Sequence, residues 1–403
     1  MIPFSPPHIS QEHIDEVVDT LKSGWITTGP KTKLFEKKLA EYCNVSKVLA
    51  VNSATFGLEL ILRWFGIGEG DEVIIPAYTY VATANVVVHT GATPVMVDTN
   101  SDDININIKA IKKAITDKTK VIIPVDIAGY PVDYDEINDL VKRKDIKKIF
   151  KANSNNQKKL ERILILSDAA HSFGANYQGK KSGSLTDISV FSFHAVKNLT
   201  TAEGGAITLN LPDNFNPEEI YKYLNMYSLH GQSKDALAKT QIGNWRYDVL
   251  EAGYKGNMTD IQAALGLVSL KYYDNENLKR RKEIFKFYDE KFSTYDWAES
   301  PLYKSNRKES SYHLYLLRIK NINETTRDQI IDDIFKSEVS VNVHFQPLPM
   351  LTVYKNRGYK IDDFPVSFDN YSRLITLPVY QDLSDNDLKK IVEAVVKSVK
   401  KFI

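Results

Sequence analysis

Cysteine is almost missing from this chain. Cys43 is the only one among 403 residues, which excludes an internal disulfide and any zinc site built from several cysteines, and which suits a reducing compartment. A charge excess is missing as well. Lys and Arg number 52 and Asp and Glu 51, a formal net charge of +1, which argues against a general polyanion or nucleic-acid binder. The opening stretch MIPFSPPHISQEHIDEVV has paired prolines and an early acidic run instead of a basic flank and an apolar core, so the expectation is a cytoplasmic protein without a signal peptide. Long apolar runs are scarce. The longest uncharged stretch, residues 73–97, is interrupted by Pro76, Asn85, His89, Gly91 and Pro94; it reads as strand, turn, helix and strand in a buried core, not as a bilayer helix. There is no internal repeat and no long low-complexity tract.

What is present is ordinary globular material: 43% apolar and 26% charged residues, at a length that allows two or three domains. Seven short β-branched runs recur: KVLAV (47–51), EVIIP (72–76), TPVMV (93–97), KVIIPV (120–125), RILILS (162–167), DISVFSF (187–193) and GAITLN (205–210). Near-continuous apolar runs of this kind suit strands buried on both faces, and most intervals are long enough for crossover helices. The reading is an α/β domain with a mostly parallel seven-stranded sheet flanked by helices. The last interval is short, which leaves room for one antiparallel strand.

From Thr259 the pattern changes. Thr259 and Gln262 have capping-box spacing, and Ile261, Ala264, Leu265 and Val268 repeat at helical spacing. Then come a charged helical stretch (277–292), strand-like YHLYLLRI (312–319), a helix (325–336), strand-like VSVNVHF (339–345) and a terminal helix (385–400). This predicts a smaller C-terminal α+β domain, with the division near 262: a large domain over 1–262 and a small one over 263–403.

The segment 142–162 carries nine basic residues, Lys142, Arg143, Lys144, Lys147, Lys148, Lys151, Lys158, Lys159 and Arg162, against Asp145 and Glu161. A nucleic-acid patch and a solvated surface insertion both fit the charges. Only Phe150 interleaves them as an aromatic, so the expectation is a surface insertion with the polar loop 152–157 at its tip.

In open α/β sheets ligands sit beyond the carboxyl ends of strands, so chemistry is sought there. After KVLAV, Ser53 can cap a helix and leave the amides of Ala54 and Thr55 facing an anion; the same residues also suit an ordinary helix cap. After RILILS stands Asp168, an acid at the end of an apolar strand, which suits a cap, a buried ion pair, or a carboxylate facing a protonated ring nitrogen. After DISVFSF stands Lys197, either a surface lysine or a partly desolvated amine that attacks aldehydes. Tyr80, after EVIIPAYT, is either a core aromatic or a ring-stacking one. One cofactor needs all of these groups. Pyridoxal 5′-phosphate takes an imine-forming lysine, an acid opposite its pyridine nitrogen and a phosphate cup.

The sequence resembles the DegT-type nucleotide-sugar aminotransferases, a branch of the fold-type-I pyridoxal-phosphate enzymes. The resemblance rests on SGWITTGPKTKLFEKKLAEY, VNSATFGLEL, GDEVIIPAYTYVATANVVVHTGATPVMVD, SDAAHSFGA, FSFHAVKNLTTAEGGAI, GYKGNMTDIQAALG and the closing VHFQPLP and LPVYQDLS, in the family's order over most of the chain. It implies that Lys197 forms the imine, Asp168 pairs with the ring nitrogen, His171 lies near the cofactor's phenolic oxygen, Tyr80 stacks on the ring, and Ala54, Thr55 and Ser192 hold the phosphate. It implies that Asn257, and with it Lys255, reaches the phosphate site of a neighbouring subunit, hence a homodimer with shared active sites. Trp25, His313 and His344 match positions on the substrate side, where a core or hinge role fits equally. Gly256 departs from the family, which more often has an aromatic there, and the 142–162 insertion is longer than in many relatives.

The implied reaction moves an amino group from L-glutamate to a nucleotide-linked keto sugar, a UDP- or dTDP-linked 4-keto-6-deoxyhexose aminated at C4, for surface polysaccharides. A 3-keto sugar aminotransferase and a sugar dehydrase are the alternatives. The dehydrases carry His where this chain has Lys197. A non-catalytic regulator of the same fold would be expected to lose Lys197 or Asp168, and both are present. Neither a nucleic acid nor a membrane partner is expected.

Overall fold

The computed structural model describes residues 1–233 and 246–403. All seven expected strands form one sheet: β1 (Lys47–Val51), β2 (Glu72–Pro76), β3 (Thr93–Val97), β4 (Thr119–Ile122), β5 (Leu164–Asp168), β6 (Ile188–Ser192) and β7 (Gly205–Leu209). Their order is β1-β7-β6-β5-β4-β2-β3. The antiparallel strand is β7, which pairs antiparallel with both β1 and β6, while β6, β5, β4, β2 and β3 pair in parallel.

Helices cover both faces, which is why the strand sequences are apolar at nearly every position. On β2, Val73 and Ile75 enter one core and Ile74 the other. The first face is packed by α3 (Ala54–Trp64), α4 (Ala82–His89) and α5 (Pro217–Tyr227) through Leu58, Ile61, Val86 and Leu224. The opposite face is packed near β1 by α2 (Pro30–Cys43) and α6 (Asp260–Lys271), through Phe35, Leu39 and Ala263. The capping box at Thr259 and Gln262 starts α6, as its spacing predicts, and α6 lies against α1 (Gln11–Ser23) and α2.

A separate core unites α7 (Lys279–Phe292), α8 (Glu324–Lys336) and α9 (Asp385–Phe402) with a three-stranded sheet of β8 (Ala298–Glu299), β9 (Tyr315–Ile319) and β10 (Leu374–Leu377). We propose that the chain divides near residue 262. The second core is built from Ile284 onward, with Ile2 added from the far end of the sequence.

Two strand expectations fail for identifiable reasons. Residues 339–345 form no strand; Val339 and Asn342 make single bridges to Ile2 and Thr376, and the Asn342 side chain takes the amide of Val343. Residues 312–314 precede β9 because Tyr312 has φ 56° and the amides of His313 and Leu314 bond to the carbonyl of Ala128. The polar loop at 152–157 is only partly solvated: Asn153 and Asn155 are exposed, while Gln157 is buried. Ser154 and Gln157 donate to the carbonyl of Phe65, and Asn156 to that of Trp64, so the loop satisfies the open carbonyls that end α3. Arg162 is buried in a bidentate pair with Asp187, whereas the other basic residues of the segment are exposed. No helix among the described residues is long and apolar enough to cross a membrane.

Candidate active site

A cavity of about 440 Å³ opens at the carboxyl ends of the parallel strands. Ser53, Ala54 and Thr55 follow β1, Thr79 and Tyr80 follow β2, Asp168 ends β5, Ser192 ends β6, and Lys197 lies in the turn before β7; all line it.

The sequence builds the first wall through a cap and a glycine. Ser53 accepts the amide hydrogen of Phe56 at 3.1 Å and starts α3, leaving the amides of Ala54 and Thr55 without a partner among the described residues. This helix end rests directly on β7. A Cβ on Gly205 would stand 2.6 Å from the nitrogen of Ala54, so only glycine permits the approach.

Asp168 is 6% exposed and forms no ion pair among the described residues. Its Oδ2 accepts from the Thr83 hydroxyl at 2.8 Å and its Oδ1 from the amide of Ala170 at 3.2 Å. Burial pushes its pKa up, against the pull of those two donors and of Lys197. Among the described residues Lys197 has no side-chain hydrogen bond or ion pair. Burial brings its pKa down to about 8, opposed by the charge of Asp168. Among the described residues the cavity therefore holds a buried carboxylate without a cationic partner, an amine that loses its proton far more readily than an ordinary lysine, and two free amides at a helix N-terminus. That donor set fits a ring cation, an aldehyde and a phosphate, the three functional parts of pyridoxal phosphate.

Three histidines close the opposite side. His171 accepts the amide hydrogen of Ala128 on Nδ1 at 3.3 Å, so in its neutral ring the hydrogen sits on Nε2. His313 lies with its ring centroid 4.5 Å from that of His171. Burial holds both pKa values well below the ordinary imidazole value, with Lys197 adding to the shift. His344 meets the Thr376 hydroxyl at 3.1 Å and is pushed down to about 4, mainly by burial. Tyr80 is 59% exposed at the mouth, its ring 5.6 Å from that of Phe345.

Nine of the expected residues thus share one cavity: Ala54, Thr55, Tyr80, Asp168, His171, Ser192, Lys197, His313 and His344. Trp25, Lys255 and Asn257 do not line it. Asn257 instead donates to the Thr28 hydroxyl at 2.6 Å, Trp25 donates to the Thr28 carbonyl at 3.1 Å, and Lys255 is exposed nearby. The space beside Gly256 is taken by the ring of Phe56, which a Cβ there would meet at 2.0 Å. Sequence reasoning missed Phe4 and Phe345, which line the cavity, and Thr83 and Asn198 behind it. Thr83, Asn198 and Phe345 lie inside the family-like motifs; nothing local marks Phe4.

Residues 7–396 match the model of the DegT/DnrJ/EryC1/StrS aminotransferase family. The chain belongs to that family. It is 47% identical to Spr1654 from Streptococcus pneumoniae, assigned as a sugar aminotransferase, with a TM-score of 0.96 to its PMP form over 100% of both chains; a PLP form of Spr1654 is also known. It is 37% identical over 404 residues to the Bacillus subtilis spore coat polysaccharide biosynthesis protein SpsC, covering 99% of this chain and 97% of SpsC. Helicobacter pylori PseC, an aminotransferase involved in the biosynthesis of pseudoaminic acid, superposes with a TM-score of 0.87 at 29% identity, over 99% of both chains. The enzyme is a fold-type-I, pyridoxal-phosphate-dependent sugar aminotransferase, and the cavity carries the groups this cofactor requires.

Proposed function

We propose that the enzyme moves the amino group of L-glutamate to C4 of a nucleotide-linked 4-keto-6-deoxyhexose, with UDP or dTDP as the nucleotide, for surface polysaccharide. The observation that carries this reading is the meeting of Lys197, Asp168 and the N-terminus of α3 on one cavity. SpsC is named for spore coat polysaccharide and PseC for pseudoaminic acid, and we carry the carbohydrate direction of both names to this chain.

Bound pyridoxal phosphate supplies an aldehyde that takes up the amino group and a ring that spreads negative charge. The residues do the rest. Ala54 and Thr55 donate their amides to the phosphate, and Ser192 adds a hydroxyl at the end of β6. Asp168 holds the hydrogen of the ring nitrogen, which gives this buried carboxylate a cationic partner. The Nζ of Lys197, about half uncharged at pH 8, would take the proton from the α-carbon of the amino donor and return it to the carbon on the far side of the transferred nitrogen. In the second half-reaction the same nitrogen moves the proton in the opposite sense. His171 donates from Nε2 toward the phenolic oxygen. Tyr80 covers the ring. His313 and His344 face the sugar.

We also propose a homodimer in which Asn257, and with it Lys255, serves the partner's cavity. Their position outside their own subunit's cavity is consistent with that sharing. A cytoplasmic location is part of the same reading, supported by the single, buried, unpaired cysteine.

The test is a panel of UDP-, dTDP- and GDP-linked 3-keto and 4-keto sugars offered with glutamate and read by mass spectrometry. Amine gain on a 4-keto UDP or dTDP sugar is the expected result. Gain on a 3-keto sugar alone would overturn the C4 assignment, and loss of the 3-hydroxyl without amine gain would favour the dehydrase.

A further inference from the structure

Lys197 lines two cavities. Besides the active site it borders a second space of about 340 Å³, formed by the N-terminal segment, α6 and the C-terminal unit; Ser5 and Val196 also line both. The turn that carries the lysine therefore has open volume on two sides, and close packing does not hold it there.

The next residue holds it. Asn198 is 7% exposed and uses its whole amide. Nδ2 donates to the carbonyl of Ser311 at 2.7 Å and approaches the Tyr273 hydroxyl at 3.4 Å, Oδ1 meets Nδ1 of His313 at 2.8 Å, and the backbone carbonyl accepts from Asn277 at 3.0 Å. The orientation of this amide is decided by its partners. A carbonyl oxygen only accepts, so Nδ2 must face Ser311 and Oδ1 must face His313. Nδ1 of His313 consequently carries the hydrogen. Nε2 is left as a bare acceptor, with no hydrogen bond to the described protein, on a ring that lines the active-site cavity.

Arg281 braces the same contact from behind. Its guanidinium, 3% exposed and without a carboxylate partner among the described residues, donates from Nε to Asn277 and from Nη1 to the carbonyls of Tyr312, His313 and Val379. The ionisable groups that face His313 are His171, Lys197, Arg281 and His344, all of which disfavour a charge on it.

We infer that Asn198 is a positioning residue for the transfer. It ties the Lys197 turn to segment 311–313 and locks His313 in the Nδ1–H tautomer, so that Nε2 accepts a hydrogen bond from an N–H or O–H of the bound substrate. This rests on the reading of Lys197 as the proton-moving amine.

The test combines one measurement on the wild type with two variants. In the apoenzyme labelled with 15N-histidine, His313 should show the Nδ1–H pattern and stay neutral well below the ordinary imidazole range. Asn198→Asp should raise the pH at which His313 protonates and shift the acidic limb of kcat/KM upward. Asn198→Ala should lower kcat about 10- to 100-fold for both half-reactions, the scale expected when a reacting group is misplaced by about an ångström, with far-UV circular dichroism unchanged. An Nε2–H pattern at His313 in the wild type overturns the inference even if no variant folds. So does an Asn198→Ala enzyme within two-fold of wild-type kcat. In either case loss of activity in Lys197→Ala leaves the reading of the lysine standing, whereas an active Lys197→Ala removes that reading first.

Discussion

The hydroxyl of Thr83, on α4, donates to Oδ2 of Asp168, at the end of β5, at 2.8 Å. It is the only side-chain donor to that buried carboxylate among the described residues. Thr83→Val keeps the shape and deletes the donor. A hydrogen bond to a charged group contributes about 1.5–3 kcal/mol, so cofactor affinity should fall about ten-fold or more. Titration of the apoenzyme with pyridoxal phosphate, followed by absorbance, reads this directly. An unchanged Kd would mean that Thr83 merely fills space.

Lys197 predicts a pH dependence in the apoenzyme. Its pKa is brought down to about 8, chiefly by burial. Acylation of this amine by a limiting reagent, located by peptide mass spectrometry, should rise with a midpoint near pH 8, where the exposed lysines rise near ~10.4. The same shift has a sign for stability. Between about 8 and the unfolded value the unfolded chain binds more protons at this site than the folded one, so this group's contribution to stability rises with pH across that window. A labelling midpoint above 10 would show the amine to be solvated.

Phe56 and Gly256 form a size-matched pair. A Cβ at 256 would stand 2.0 Å from the Phe56 ring. Gly256→Ala should destabilise by about 1–3 kcal/mol as an overpacking change. In a Phe56→Ala background the same substitution should be close to neutral, a coupling that a double-mutant cycle of urea unfolding resolves. Additive effects would show that the ring swings aside at no cost.

Gln157 is fully buried and donates to the Phe65 carbonyl at 3.0 Å, while its Oε1 accepts the amide of Asn153 at 2.8 Å. Gln157→Leu removes both bonds, though Ser154 still donates to the Phe65 carbonyl and the Asn153 amide can reach water, so the loss should be about 1 kcal/mol per bond. Replacing the exposed Lys147 and Lys148 by Glu should change stability by no more than about 0.5 kcal/mol. A reversed ranking in urea unfolding would restore importance to the charges of this segment.

Much of the enzyme is written locally. Strand positions follow from runs that are apolar at consecutive residues, because both faces of the sheet are covered, and the α6 start follows from Thr259 and Gln262, three residues apart. Lys197, Asp168 and Ser53 are legible for a related reason: each stands next to a strand end, and the topology of a parallel sheet sends those ends to one edge. The failures are equally physical. Residues 339–345 alternate like a strand, yet a strand needs a neighbour, and among the described residues the only bridges run to Ile2 and Thr376. The loop at 152–157 is polar for the sake of carbonyls some ninety positions earlier, at the end of α3.

Periodicity and capping are interactions between residues a few positions apart, and the sequence alone determines them: the layered α/β architecture, its seven strands and the residue types of the cofactor site. Contacts such as Phe4 with His344, Thr83 with Asp168, Asn198 with His313 and Gly256 with Phe56 join segments tens to hundreds of residues apart. No local pattern encodes them, because each depends on which surfaces meet once the sheet has twisted and the C-terminal unit has packed against it. The hydrogen positions on the active-site histidines, and the volume left on either side of Lys197, were decided only there.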